Sequence, residues 1–258
     1  MGRALISGLL RAGTRPEHLS VGESSLAARE ELARELGIMA SPDNAAAISG
    51  AAIVVLAVKP QEAASVLRPL AAALGAAQPL LISVIAGVRI ASLSQWCPGV
   101  PLLRAMPNRP ALLGAGATGA YAPPAVGGAA RHSAEAVLRA VGEVVWVSDE
   151  PALDVVTALS GSGPAYFFLL AELMARAGTQ LGLEELSARR LAAVTLYGAG
   201  LMAHSGSADL AQLRASVSSP GGTTEAALAA LAAADLGGAV FRALQAATTR
   251  SRELAAQA

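Results

Sequence analysis

Between residues 216 and 228 the chain reads Ser-Val-Ser-Ser-Pro-Gly-Gly-Thr-Thr-Glu-Ala-Ala-Leu, small hydroxyls and two glycines running straight into a helix pattern. Adjacent glycines permit a tight turn and leave main-chain N–H groups uncovered. The start of a helix adds four unpaired N–H groups and the positive end of its dipole, so such a turn can hold a small carboxylate without an arginine. The same residues also make a well-capped helix with Glu225 in its first turn, and the motif alone leaves both uses open. A second glycine-bearing junction, Ser-Gly-Ser-Gly-Pro-Ala-Tyr at 160–166, allows close backbone approach at Gly161 and Gly163, while Pro164 suits the first turn of a long helix.

Other chemistry is limited. Lys59 is the only lysine, and Cys97 the only cysteine, which excludes an intrachain disulfide and disfavours a thiolate metal cluster. His18, His132 and His204 have no metal-ligand spacing, and no metal is expected. Nineteen basic residues balance nineteen acidic ones, so charge gives no reason to expect nucleic acid or an anionic membrane as partner. The reducing cytosol is the setting that fits, with no signal peptide and no span of the length a membrane crossing requires.

The elements that must position these residues fall into two groups. Short Val/Ile/Leu-rich runs at about 19–22, 52–58, 80–85, 100–106 and 143–147 alternate with helical patterns. Strands without polar alternation are buried on both faces by crossover helices, which predicts a parallel, doubly wound, Rossmann-like sheet over 1–149. From 150 to 258 the periodicity is helical throughout. The run from Gly163 to Leu170 is apolar on nearly every side, and an all-helical domain of this size has little interior to offer it, so a homodimer interface is expected.

In a doubly wound dinucleotide fold the first strand leads through Gly-x-Gly-x-x-Gly into a helix that receives the pyrophosphate. Here the opening MGRALISGLL is already a helix, so Gly2 takes the place of the third glycine, and the first strand and first two glycines would lie upstream of Met1. The expectation is an N-terminally incomplete domain, from a misplaced start or a shortened chain, with two neighbouring strands lacking main-chain partners. Ala57, Val58, Lys59 and Pro60 follow a buried strand, at the edge where open α/β sheets bind ligands, and Asn108 follows another. Glu23, after the second strand of such a fold, is placed to accept from a ribose 2′-OH of NADH. Ser24 and Ser25 could hold the 2′-phosphate of NADPH, with Arg29 about one turn further on.

Taken together, ALSGSGPAYFF at 158–168, SVSSPGGTTEAAL at 216–228, VVLAVKPQ at 54–61, ISVIAGV at 82–88 and RAMPNRPALLGAGATG at 104–119 resemble the pyrroline-5-carboxylate reductases of proline biosynthesis, in family order along essentially the whole chain. The resemblance implies a cytoplasmic enzyme that reduces 1-pyrroline-5-carboxylate to L-proline with NADPH or NADH. It also implies a helical dimer, sometimes built into a decamer. It assigns Ser219, Gly221, Gly222, Thr223, Ser160 and Gly161 to substrate binding, Thr224 to the ring nitrogen as catalytic residue, and Gly2, Glu23, Ser24, Ala57, Val58, Lys59, Pro60 and Asn108 to the cofactor. The chain departs from the family pattern at Ser207 and Ala215, where acidic residues are usual; Asp209 is a candidate replacement for the first. A β-hydroxyacid dehydrogenase is the nearest alternative enzyme, but it needs a lysine in the helical domain, and none follows residue 59. The non-enzymatic alternative is a helical dimer module carrying a degenerate cofactor domain.

Overall fold

The computed structural model describes residues 1–206 and 208–257; Ser207 therefore lies outside the described residues. The chain forms two compact units: one comprises Met1–Ser162 and the end of the chain from Ala246, the other Gly163–Gln245.

In chain order the first unit contains α1 (Gly2–Arg11), β1 (Val21–Gly22), α2 (Leu26–Leu36), β2 (Ala40–Ser41), α3 (Asn44–Ile48), β3 (Ile53–Leu56), α4 (Ala63–Ala77), β4 (Leu80–Ser83), α5 (Ile90–Trp96), β5 (Leu102–Met106), β6 (Gly116–Tyr121), α6 (Gly128–Arg139), β7 (Gly142–Trp146) and α7 (Ala152–Val156). The last leads into a π turn, Thr157–Gly161. Helices α8 (Gly163–Gln180), α9 (Glu185–His204), α10 (Leu210–Ser216) and α11 (Thr223–Ala233) follow, and α12 (Leu236–Ala256) runs from the second unit back into the first.

The strands form two sheets. β1 and β2 pair in parallel, and a five-stranded sheet has the order β3-β4-β5-β6-β7. β3 is an edge of the larger sheet: no described residue pairs with it on the side away from β4. Apolar layers flank the larger sheet. Leu5, Leu80, Ile82, Leu103 and Leu138 fill one, and Leu67, Leu74, Leu81, Leu93 and Trp96 the other, which is why the β4 run Leu-Leu-Ile-Ser shows no polar alternation.

The sheet is not wholly parallel: β6 runs antiparallel to β5. Its sequence, Gly-Ala-Thr-Gly-Ala-Tyr, lacks the β-branched run that marks the other strands. The residues are small because α7 lies against them; a Cβ at Gly119 would stand 2.5 Å from Val156 Cγ1. This contact also holds α7 and the π turn in the first unit, so the compact unit extends to Ser162, past the change of periodicity near 149.

Helix starts follow local chemistry. Ser25 caps α2, and Asp209 with Gln212 makes a reciprocal capping box on α10. Asp209, the candidate for the missing acidic residue, is engaged as that cap through Gln212 N–H at 2.8 Å.

Candidate active site

Because β3, β4 and β5 run parallel, their carboxyl ends share one edge of the sheet. Ala57 and Lys59 are exposed beyond β3, Val58 and Pro60 are half-buried, and Pro60 opens a 3-10 turn. Gly2, in the first turn of α1, reaches the same place: a Cβ there would sit 3.5 Å from Ala57 Cβ.

The turn after β1 is organised by its own side chains. Glu23 Oε1 accepts from Ser25 N–H at 2.8 Å, so this carboxylate helps to shape the turn. Arg29 folds back from α2, its Nη1 donating to the carbonyl oxygens of Glu23 and Ser24, each at 2.8 Å. A guanidinium therefore stands beside exposed Ser24, where its place one turn along the chain left its direction open. This donor set fits a nicotinamide dinucleotide, and the basic charge suits one bearing a 2′-phosphate.

Asn108 is only 8% exposed, and both ends of its amide are engaged within the protein. Oδ1 accepts from Ala117 N–H and Nδ2 donates to Ser160 O, each at 2.9 Å. The residue assigned as a cofactor contact thus holds the start of β6 to the π turn that carries Ser160 and Gly161. The Ser160 hydroxyl donates back to Val156 O at 3.0 Å, and a Cβ at Gly161 would lie 3.3 Å from Met106 Cε.

A buried charge cluster lies next to this turn, and sequence reasoning missed it. Arg104 on β5, 5% exposed, donates to Glu150 Oε1 at 2.8 Å, and the same oxygen accepts from Ile90 N–H at the start of α5. Arg89 donates to Asp154 Oδ2 at 2.5 Å, and the Ser251 hydroxyl of α12 donates to Asp154 Oδ1 at 2.8 Å. Desolvation lowers the Arg104 pKa, and its bond to Glu150 opposes that fall. The available signal was an arginine inside the apolar strand Leu-Leu-Arg-Ala-Met, since a buried charge demands a partner.

In the second unit, Gly221 takes φ +69°, and Gly222 is the N-cap of α11. The N–H groups of these glycines are not the uncovered donors expected. Gly221 N–H donates to Glu225 Oε2 at 2.6 Å, and Gly222 N–H donates to Ser219 O at 3.0 Å. The turn closes on itself because Glu225, in the first turn of α11, reaches back over it. The N–H groups of Thr223, Thr224 and Glu225 have no partner among the described residues, and they are the unpaired start of the helix. Ser218, Pro220 and Glu225, with Leu228, Leu231 and Val240, line an open groove beside it.

The family described as pyrroline-5-carboxylate reductase dimerisation matches residues 150–254, and that described as NADP oxidoreductase, coenzyme F420-dependent, matches residues 1–87. The chain is 44% identical to the pyrroline-5-carboxylate reductase of Pseudomonas aeruginosa over 258 residues, covering all of this chain and 94% of that protein. A solved pyrroline-5-carboxylate reductase from Coxiella burnetii is 38% identical with a TM-score of 0.95, over 98% of this chain and 94% of the other. The Plasmodium falciparum pyrroline carboxylate reductase with NADP bound is 28% identical with a TM-score of 0.83, over 99% and 94% of the two chains.

Proposed function

Since this chain belongs to the pyrroline-5-carboxylate reductase family, we infer that it reduces 1-pyrroline-5-carboxylate to L-proline with NAD(P)H. The observation that carries the site assignment is the start of α11, where three free N–H groups follow a turn pinned by Ser219 and Glu225. Thr223 and Thr224 N–H, with the Ser219 hydroxyl, grip the substrate carboxylate. Gly221 and Gly222 serve by shaping the turn rather than by donating. The Thr224 hydroxyl hydrogen-bonds at the ring nitrogen, and the turn of Ser160 and Gly161 lines the substrate.

The reduced nicotinamide, when bound, supplies a hydride to the imine carbon. The imine nitrogen enters protonated and takes up the electron pair of the C=N bond, so no residue needs a strongly shifted acid; orientation and exclusion of water carry the step. Gly2, Ala57, Val58, Lys59 and Pro60 border the cofactor at the carboxyl edge of the sheet, and Asn108 acts indirectly by fixing the turn that bears Ser160. Ser24 with Arg29 favours NADPH over NADH, an assignment in keeping with the NADP-bound relative.

The protein works as a dimer, and we extend the proposal to a decamer of five dimers, testable by light scattering. The reducing cytosol is the proposed location, where the buried thiol of Cys97, its pKa raised by desolvation, stays inert.

The test is steady-state oxidation of NADPH dependent on pyrroline-5-carboxylate. Thr224→Val keeps the shape and removes the hydroxyl, and we expect kcat/KM to fall about ten- to hundredfold, as for loss of a hydrogen bond to a charged group. An unchanged kcat/KM would exclude Thr224 from the reaction.

A further inference from the structure

The π turn that carries Ser160 and Gly161 follows a helix, α7, of only five residues, too short to hold its shape without tertiary support. The turn closes through Ser162 N–H, which donates to Thr157 O at 2.8 Å, one residue further than an α-helical bond reaches. A slip back to the α-helical pattern would turn Ser160 and Gly161 by as much as one position, about 100°, round the axis. Their direction therefore depends on what anchors the turn at each side. On one side Asn108 Nδ2 donates to Ser160 O. On the other the anchor is Asp154 of α7.

Asp154 is buried, and both of its carboxylate oxygens are occupied. Oδ2 accepts from Arg89, the N-cap residue of α5, and Oδ1 accepts from the Ser251 hydroxyl of α12 at 2.8 Å. Ser251 is the one buried residue among those described in α12, and a small polar side chain at that place gains little from apolar packing. Its use is the bond to Asp154. The last turn of α12 also lies along the loop between β4 and α5, where a Cβ at Gly87 would stand 3.7 Å from the main chain of Leu254 and Ala255. Within α7 the Thr157 hydroxyl donates to Leu153 O at 2.7 Å, which carries the anchor on into the turn.

With that turn assigned to the substrate as above, we propose that Asp154 and Ser251 are positioning residues. Their bond fixes α7, and α7 fixes the π turn, so that Ser160 and Gly161 meet the substrate although neither Asp154 nor Ser251 touches it. Without the Ser251 hydroxyl, Oδ1 is a buried charged acceptor with no donor, and it regains a partner only if α7 moves.

The test compares Ser251→Ala with the parent chain. This variant removes one hydrogen bond and keeps the Arg89–Asp154 ion pair, so the fold is retained. Amide exchange over 157–162 should quicken by about fivefold or more, while exchange in β4 and β5 stays unchanged. KM for pyrroline-5-carboxylate should rise about three- to tenfold with NADPH affinity unaltered, and Ser251→Thr, which keeps the hydroxyl, should restore both readouts. Unchanged exchange in the turn overturns the proposal. A lowered melting temperature with an unchanged KM also overturns it, because Ser251 would then serve stability alone, and so does a raised KM that Ser251→Thr leaves raised. A parent chain without pyrroline-5-carboxylate-dependent oxidation of NADPH would strike the reductase reading, while the exchange comparison would still decide whether Ser251 holds the turn.

Discussion

A Cβ at position 222 would stand 2.5 Å from Ser219 Oγ and 2.9 Å from Ser219 O, so Gly222→Ala must push the turn away from the start of α11. The expected outcome is a KM for pyrroline-5-carboxylate raised about tenfold or more, with NADPH affinity unchanged, measured by initial rates and by fluorescence titration of the cofactor. Arg29 allows the converse separation. Its guanidinium reaches Ser24 O, so Arg29→Ala should weaken NADPH about tenfold and leave NADH nearly unaffected, seen as a change in the ratio of the two KM values. The turn and helix start at 219–223 were readable because glycines and a helix start are local features. Which N–H groups stay free was not readable, since that depends on where the Glu225 side chain turns. Asn108 shows the same limit: a polar residue after a strand looks like a ligand contact, and only the fold reveals Ala117 N–H and Ser160 O at its two ends.

Helix α9 opens on Glu184, whose carboxylate accepts from Leu186 N–H at 2.9 Å and Ser187 N–H at 2.7 Å. These bonds hold its pKa below the usual carboxylate value. The unfolded chain therefore binds this proton at a higher pH than the folded one does. The cap's stabilisation is complete above the ordinary carboxylate pKa and is lost as pH falls through the lowered folded value. Amide exchange in the first turn of α9 should accordingly speed up, relative to the helix centre, as the solution is acidified through that range. Glu184→Gln should abolish this dependence. Most elements were legible from periodicity: the observed β3, β4, β5 and β7 fall within or beside the apolar runs, and α8 to α12 follow the helical repeats. β6 was not, because its small residues are dictated by the approach of α7, a contact between segments distant in sequence.

The helical unit leaves large apolar surfaces uncovered. Phe167 and Phe168 of α8 are 58% and 65% exposed, and Tyr197 of α9 and Phe241 of α12 are exposed as well. Contrary to the expectation that no segment has the length of a membrane span, Ala152–Gln180 is long and apolar enough to cross one by length and composition, because α7, the π turn and α8 run on as one helix. The family that matches this segment is described as a dimerisation region, and we propose these side chains as the protomer interface. Burying one aromatic side chain contributes about 1.5–3 kcal/mol, and a two-fold interface counts it twice. Phe168→Asp should therefore shift the protein toward monomer by at least about a hundredfold in dissociation constant, measured by sedimentation velocity, with loss of activity following loss of the dimer.

By itself the sequence determined the two-part architecture, the helix starts and the motifs that bring the chain into its family. Each of these rests on interactions between residues close in the chain, such as apolar periodicity, capping and glycine turns. The tertiary structure alone decided that β6 reverses direction, that Arg29 stands over Ser24, and that Arg104 and Arg89 find Glu150 and Asp154. The two ion pairs join residues dozens of positions apart, β6 reverses through pairs more than ten apart, and even Arg29 depends on a side chain folding back along its own helix. No local pattern encodes such pairings; packing and the need to satisfy buried charge select them.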